Sequence, residues 1–200
     1  YLTFDKENID KLLKYDAIAF GMGIGTNKDN YEILKYILSE FKGVLIIDAD
    51  GLNILSMYGL DILKKKKCDV VLTPHIKEFS RLTKQGIEYI LENSLNSAKA
   101  FAKEFNVILV LKSTTTVISD GEKVYLNTVG SSGMAKGGSG DVLSGIIAGI
   151  CTKKKDVFDS AVASCYLFGK AGEITARKFN EYYMNPSDVI CSLNDVINSL

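Results

Sequence analysis

Net charge is the first thing this sequence lacks. Lys and Arg together number 24, and Asp and Glu also number 24. A chain built to hold a nucleic-acid backbone or an anionic membrane needs surplus basic charge, so neither partner is expected. A small anion held by a few local groups stays open. Long apolar runs are missing too. Those at 44–47 and 107–111 fall far short of the roughly 20 residues that cross a bilayer. The N-terminus shows no signal-peptide pattern. Proline occurs twice and histidine once. No proline-rich linker, low-complexity tract or repeat divides the chain. Cys68, Cys151, Cys165 and Cys191 are scattered, with no C-x-x-C. A zinc site is therefore not expected, and no metal-ligand set is assigned. The thiols read as core or surface residues of a reduced, cytoplasmic protein.

What is present is a soluble globular composition of 200 residues, 46% hydrophobic and 24% charged. That length buries a substantial core without staples. Strand-length apolar runs at 17–20, 44–48, 70–73 and 107–111 alternate with helical periodicity at 30–41 and 94–105. Leu95, Ala98, Phe101, Ala102 and Phe105 share one face of the second helix. The alternation predicts a parallel sheet covered by helices. Strands at 115–119 and 124–127 flank Asp120-Gly121, a hairpin signal. Helices are expected at 141–151, at 158–179 and from Pro186 onward. The lysine runs at 64–67 and 153–155 read as solvated loop or helix ends.

The chemistry concentrates in Met134-Ala135-Lys136-Gly137-Gly138-Ser139-Gly140-Asp141-Val142-Leu143-Ser144-Gly145. Glycines allow a tight turn and close backbone approach. The helix behind them leaves its first N–H groups without intrahelical partners, a natural phosphate cradle. Asp141 sits beside that cradle. A carboxylate there repels a merely bound anion, yet it suits a hydroxyl that loses its proton while attacking phosphorus. Helix capping is the plainer reading of the same residue.

Other loops follow predicted strands. Gly21-Met22-Gly23-Ile24-Gly25 is a close-approach loop but not a Rossmann fingerprint, because Thr26 stands where the third glycine belongs. Asp48-Ala49-Asp50-Gly51-Leu52-Asn53 suits a water-mediated Mg²⁺ or ligand hydroxyls. For Asp50 and Asn53, an Asx turn capping a short helix at 51–57 fits equally. Thr73-Pro74-His75-Ile76-Lys77-Glu78-Phe79 places the single histidine at a strand end. Lys112-Ser113-Thr114-Thr115-Thr116 offers one cation and a row of hydroxyls for a nucleotide phosphate and ribose. For Thr115 and Thr116 a β-edge preference serves as well.

Together and in this order, these blocks resemble the ribokinase-like superfamily. Within it they resemble the ADP/ATP-dependent NAD(P)H-hydrate dehydratases. The resemblance implies an α/β three-layer sandwich with a mostly parallel central sheet. It implies dehydration of (S)-NADHX or (S)-NADPHX to NADH or NADPH, by phosphorylation of the C6 hydroxyl and loss of phosphate. Carried over, Asp141 is the base, and Gly138, Ser139 and Gly140 form the anion hole. Lys112, Ser113, Thr114, Thr115, Thr116 and Gly140 contact ADP or ATP, with Mg²⁺ on its phosphates. Gly23, Gly25, Asp50, Asn53, His75, Glu78 and Asp141 line the hydrate site. A cytoplasmic homotetramer is implied as well. Met22, Ile76, Lys77 and Lys136 depart from the family pattern; Lys136 is expected to reach a phosphate or to point to water. Family members begin with a further strand–helix–strand region. The chain opens at Tyr1, so it is expected to be one N-terminally truncated domain. A ribokinase-like kinase of a vitamin precursor or sugar, or an inactive nucleotide-binding fragment, are the alternatives.

Overall fold

A computed structural model describes residues 5–153 and 156–199. Six strands form one sheet in chain order: β1 (Ala17–Phe20), β2 (Val44–Ile47), β3 (Asp69–Leu72), β4 (Ile108–Leu111), β5 (Thr116–Ser119) and β6 (Val124–Asn127). The first four run parallel, as their unbroken apolar character predicts. β4, β5 and β6 form an antiparallel meander. The β5–β6 hairpin turns at Asp120-Gly121, where Asp120 Oδ1 accepts the N–H groups of Glu122 (2.8 Å) and Lys123 (2.7 Å).

Alternation along the strands builds two cores. Leu45, Ile47, Val70, Leu72, Leu109, Leu111 and Val117 face one side, and Val44, Ile46, Val71, Val110 and Ile118 face the other. The first side packs against α2 (Lys28–Glu40), α3 (Asp50–Tyr58), α4 (Ile76–Thr83) and α6 (Ser94–Phe105). The second is covered by α7 (Ser139–Cys151) and α8 (Val157–Phe179). α9 (Pro186–Asn198) packs on α8. The result is the expected three-layer α/β/α sandwich.

Two short helices are additions to the sequence reading: α1 (Lys6–Leu12) and α5 (Ile87–Glu92). α4 is a third. The 64–67 lysines stay largely solvated but lean on the end of α6. Lys66 Nζ donates to the Phe105 carbonyl (2.9 Å), and Lys64 lies over the Phe105 ring. Of the second lysine run, residues 154 and 155 lie outside the described residues. Cys68, Cys151 and Cys165 are buried and Cys191 is exposed, all of them free thiols. Among the described residues, no helix is long and apolar enough to cross a membrane.

Candidate active site at the carboxyl ends of the strands

Every motif that follows a parallel strand emerges at the same end of the sheet, where open α/β sheets bind ligands. After β1, the chain turns at Gly21 with φ 125°. A Cβ there would run into the Asp48 carbonyl oxygen and the Gly51 backbone, so only glycine lets the two loops touch. The loop is then pinned from both sides. Gly25 N–H donates to Asp50 Oδ2 at 2.8 Å. Asn30 Nδ2, on α2, donates to the carbonyls of Ile24 (2.7 Å) and Gly25 (3.1 Å).

After β2 comes Asp48, only 2% exposed. Its Oδ1 accepts Ala49 N–H at 2.8 Å and the Lys112 ammonium at 3.0 Å. Its Oδ2 accepts the same ammonium at 3.2 Å and the Ser144 hydroxyl at 3.0 Å. Ala49 takes a positive φ of 48°, a strained conformation for a non-glycine residue. Asp50 then opens α3, so the expected short helix is present, but its N-cap is Ala49 and no side chain caps it, so the expected Asx-turn cap is not formed.

After β3, His75 caps α4. Glu78 N–H donates to His75 Nδ1 (3.1 Å) while His75 N–H donates to Glu78 Oε2 (2.9 Å), a reciprocal capping box. An accepting Nδ1 leaves the proton on Nε2. The imidazole remains half exposed. His75 also bridges to Lys112 across the strand ends, and Lys112 N–H donates to the Pro74 carbonyl at 2.8 Å.

The glycine-rich segment closes the group. Gly138, with φ 92°, precedes α7, which begins at Ser139, two residues before the expected start. Val142 N–H donates to the Gly138 carbonyl (3.1 Å) and Ser139 N–H to the Lys136 carbonyl (3.2 Å). The Ser139 amide is thus already engaged. The first-turn amides of Gly140 and Asp141 have no acceptor four residues back within the helix and are the better cradle donors. Asp141 is exposed and lines an open cleft of about 440 Å³ between α7 and α9, with Gly145, Ile146, Ile190 and Leu193, which includes none of the strand-end loops. It does not point into packed interior. A Cβ on Gly140 would stand 3.2 Å from Asp48 Oδ2 and 3.3 Å from Lys112 Nζ. The start of α7, the cation and the buried carboxylate therefore meet at one point.

Several expectations need correction. Lys136 neither reaches toward a phosphate nor points to water. Its ammonium donates to the carbonyls of Tyr182 (2.9 Å) and Met184 (2.6 Å), tying the glycine turn to the loop before α9. Asp48 and Asp50 do not converge on a shared cation, since one holds Lys112 and the other holds Gly25. Among the described residues, no three His, Cys, Asp or Glu groups gather as a metal site. Asn53 accepts from Arg81 Nη2 (2.9 Å) and Glu78 serves the α4 cap. Both are therefore engaged in shaping the loops. Gly23 adopts φ 68° in open space. Ser113, Thr114 and Thr115 are exposed beside Lys112, and Thr116 begins β5.

Comparison with known proteins agrees with this layout. A family model described as "Carb_kinase: NAD(P)H-hydrate dehydratase" matches residues 1–195. The bifunctional NAD(P)H-hydrate repair enzyme Nnr of Moorella thermoacetica is 34% identical over 194 residues. That match takes in 96% of this chain and 36% of that protein. The chain thus spans about a third of the length of this and similar bifunctional repair enzymes. An ADP/ATP-dependent NAD(P)H-hydrate dehydratase from Bacillus subtilis, co-crystallised with ATP/Mg²⁺, superposes with TM-score 0.83 at 26% identity. It covers 96% of this chain and 69% of its own. A ribokinase-like superfamily protein from Enterococcus faecalis gives TM-score 0.82 at 29% identity, covering 96% of this chain and 66% of its own.

Proposed function

Because the chain belongs to the NAD(P)H-hydrate dehydratase family and has the ribokinase-like fold, we propose that it repairs hydrated nicotinamide dinucleotides. The substrate is (S)-NADHX or (S)-NADPHX, and the phosphoryl donor is ADP or ATP. The observation that carries this reading is the meeting of three groups at Gly140. These are the open first turn of α7, the Lys112 ammonium and the buried Asp48 carboxylate, with the exposed Asp141 one residue on.

Hydroxide leaves carbon poorly, and phosphate leaves well. In the proposed reaction Asp141 accepts the proton of the C6 hydroxyl as its oxygen attacks the terminal phosphorus of the nucleotide. The α7 amides and Lys112 stabilise the negative charge that builds on the transferred group. The C6–O bond then breaks, pushed by the lone pair of the ring nitrogen. Loss of a proton from C5 completes the reduced nicotinamide. The products are NADH or NADPH, inorganic phosphate and AMP or ADP. Residues 112–116 hold the nucleotide, while Gly23, Gly25 and the exposed half of His75 face the hydrate. Asp50, Asn53 and Glu78 support those loops. Mg²⁺ would be carried on the nucleotide phosphates, where it would neutralise part of their charge. A cytoplasmic location and a homotetrameric assembly belong to the same reading; light scattering tests the second.

The test is incubation with (S)-NADHX, ADP or ATP, and Mg²⁺, reading the near-ultraviolet absorbance of the reduced ring together with released phosphate. Recovery of both supports the proposal. A stable phosphorylated product in place of free phosphate marks a kinase instead. Asp141→Asn should lower turnover by about 100- to 10,000-fold, the usual span for a lost general base, with nucleotide affinity held. Unchanged turnover would remove Asp141 from that role.

A further inference from the structure

Lys112 stands in an electrostatically awkward place. A helix N-terminus carries partial positive charge, which disfavours a cation beside it. Yet the ammonium lies within 3.3 Å of where a Cβ on Gly140, in the first turn of α7, would sit. It is also drawn inward, its side chain only 22% exposed against 4% for Asp48. A buried ion pair of this kind is a weak source of stability, because desolvation of both groups offsets their attraction. Such an arrangement makes physical sense where an incoming anion completes it.

We propose that Asp48 is a positioning residue, which fixes the Lys112 ammonium under the first turn of α7 to receive the terminal phosphate of the adenine nucleotide. This inference rests on the proposed nucleotide reading and extends it to a residue outside the loops that touch ligand. The geometry supplies each part. Asp48 contacts the ammonium with both oxygens, at 3.0 and 3.2 Å. An ammonium has three N–H donors, so at least one remains for a phosphate oxygen. Ser144, four residues beyond Gly140 on the same helical face, donates to Asp48 Oδ2 and fixes the carboxylate in turn. Gly140 has no side chain, which lets the pair rise to the helix end. One carboxylate therefore joins the ends of β2 and β4 to the helix whose amides form the cradle.

The sign of one measurement separates positioning from neutralisation. If Asp48 merely cancelled the charge of Lys112, its removal would free the cation and strengthen phosphate binding. If it positions the ammonium, its removal weakens that binding. Calorimetric titration of the full chain with ADP, ATP and AMP reads the preference for the extra phosphate as an affinity ratio over AMP. Lys112→Met should lower the ratio by about tenfold, the scale of one charge-assisted hydrogen bond. Asp48→Asn should lower it by a similar factor, and the double variant should fall no further than Lys112→Met alone. Ser144→Ala, a milder change, should lower the ratio by about two- to threefold in the native background and not at all with Lys112→Met. It carries the test if Asp48→Asn does not fold. A ratio that is unchanged or raised in Asp48→Asn, or additive losses in the double variant, overturns the positioning role. A chain that binds ADP without dehydrating the hydrate overturns the proposed reaction alone. A chain that binds no adenine nucleotide overturns both.

Discussion

The amide of Gly25 donates to the carboxylate of Asp50 across 2.8 Å, although the two residues lie 25 apart in the chain. This bond sets the distance between the glycine loop after β1 and the start of α3. Asp50 thus shapes the proposed hydrate site through Gly25. Asp50→Ala should raise KM for the hydrate by about tenfold, the scale of one hydrogen bond to a charged group, while leaving the affinity for ADP unchanged. Steady-state kinetics with calorimetry checks this. A matching loss of nucleotide affinity would show that Asp50 acts on the whole site.

Gly21 is the least replaceable residue of the same loop. Its backbone is left-handed, and the space beside its Cα is filled by the Asp48 carbonyl. Gly21→Ala combines backbone strain with a backbone collision, neither relieved by a flexible neighbour. The expected cost is about 3 kcal/mol. For a chain of this size that lowers the melting temperature by about 10 °C. Thermal unfolding followed by circular dichroism reads it directly.

Acid should loosen the entry to the proposed phosphate cradle. Glu181 accepts hydrogen bonds from Ser132 Oγ (2.5 Å) and Ser131 Oγ (2.9 Å). These hold its pKa below the ordinary 4.5. The clamp is therefore fully formed above that value and is lost as pH falls through the lowered folded-state pKa. Protection factors of the amides at residues 131–138, with the intrinsic pH dependence of exchange divided out, should fall across that window in the native chain. In Glu181→Gln the pH dependence should be absent.

Burial raises the pKa of Cys68 and Cys151 to about 11 and that of Cys165 to about 12. Thiolate, the reactive form, is scarce at all three near neutrality. A thiol reagent at pH 8 should label Cys191 alone in the folded chain and all four cysteines after denaturation. Rapid labelling of a second cysteine under native conditions would contradict the packing around Cys68, Cys151 or Cys165.

Much of this architecture is written in periodicity. The expected helix at 94–105 coincides with α6 because Ala98, Phe101, Ala102 and Phe105 repeat along one buried face, although Leu95, expected on that face, is exposed. The parallel strands were legible for the same reason, each lying within a residue or so of its apolar run. α4 was not foreseen, since its N-cap is a histidine, a residue outside the usual capping set. The start of α7 is hidden by glycines, whose weak helix propensity masks a turn that tertiary contacts fix. The Asp48–Lys112 pair is 64 residues apart in sequence, so no local spacing announces it. The available hint was a charged residue ending each of two wholly apolar strands that run the same way. Lys136 misled for a related reason, since a lysine beside a phosphate loop gives no local sign that two distant carbonyls already hold it.

The tie between Lys136 and the carbonyls of Tyr182 and Met184 has a consequence for biosynthesis. A ribosome delivers residues 182–184 well after the glycine turn they brace. Gly133 is likewise buried against Glu181 and Met184, and Gly138 rests on Pro186. A nascent polypeptide can therefore pair the six described strands while the proposed phosphate pocket is still unbraced. The proposed nucleotide pocket gains its bracing only once residues 182–186 have been added to a scaffold whose strands precede them.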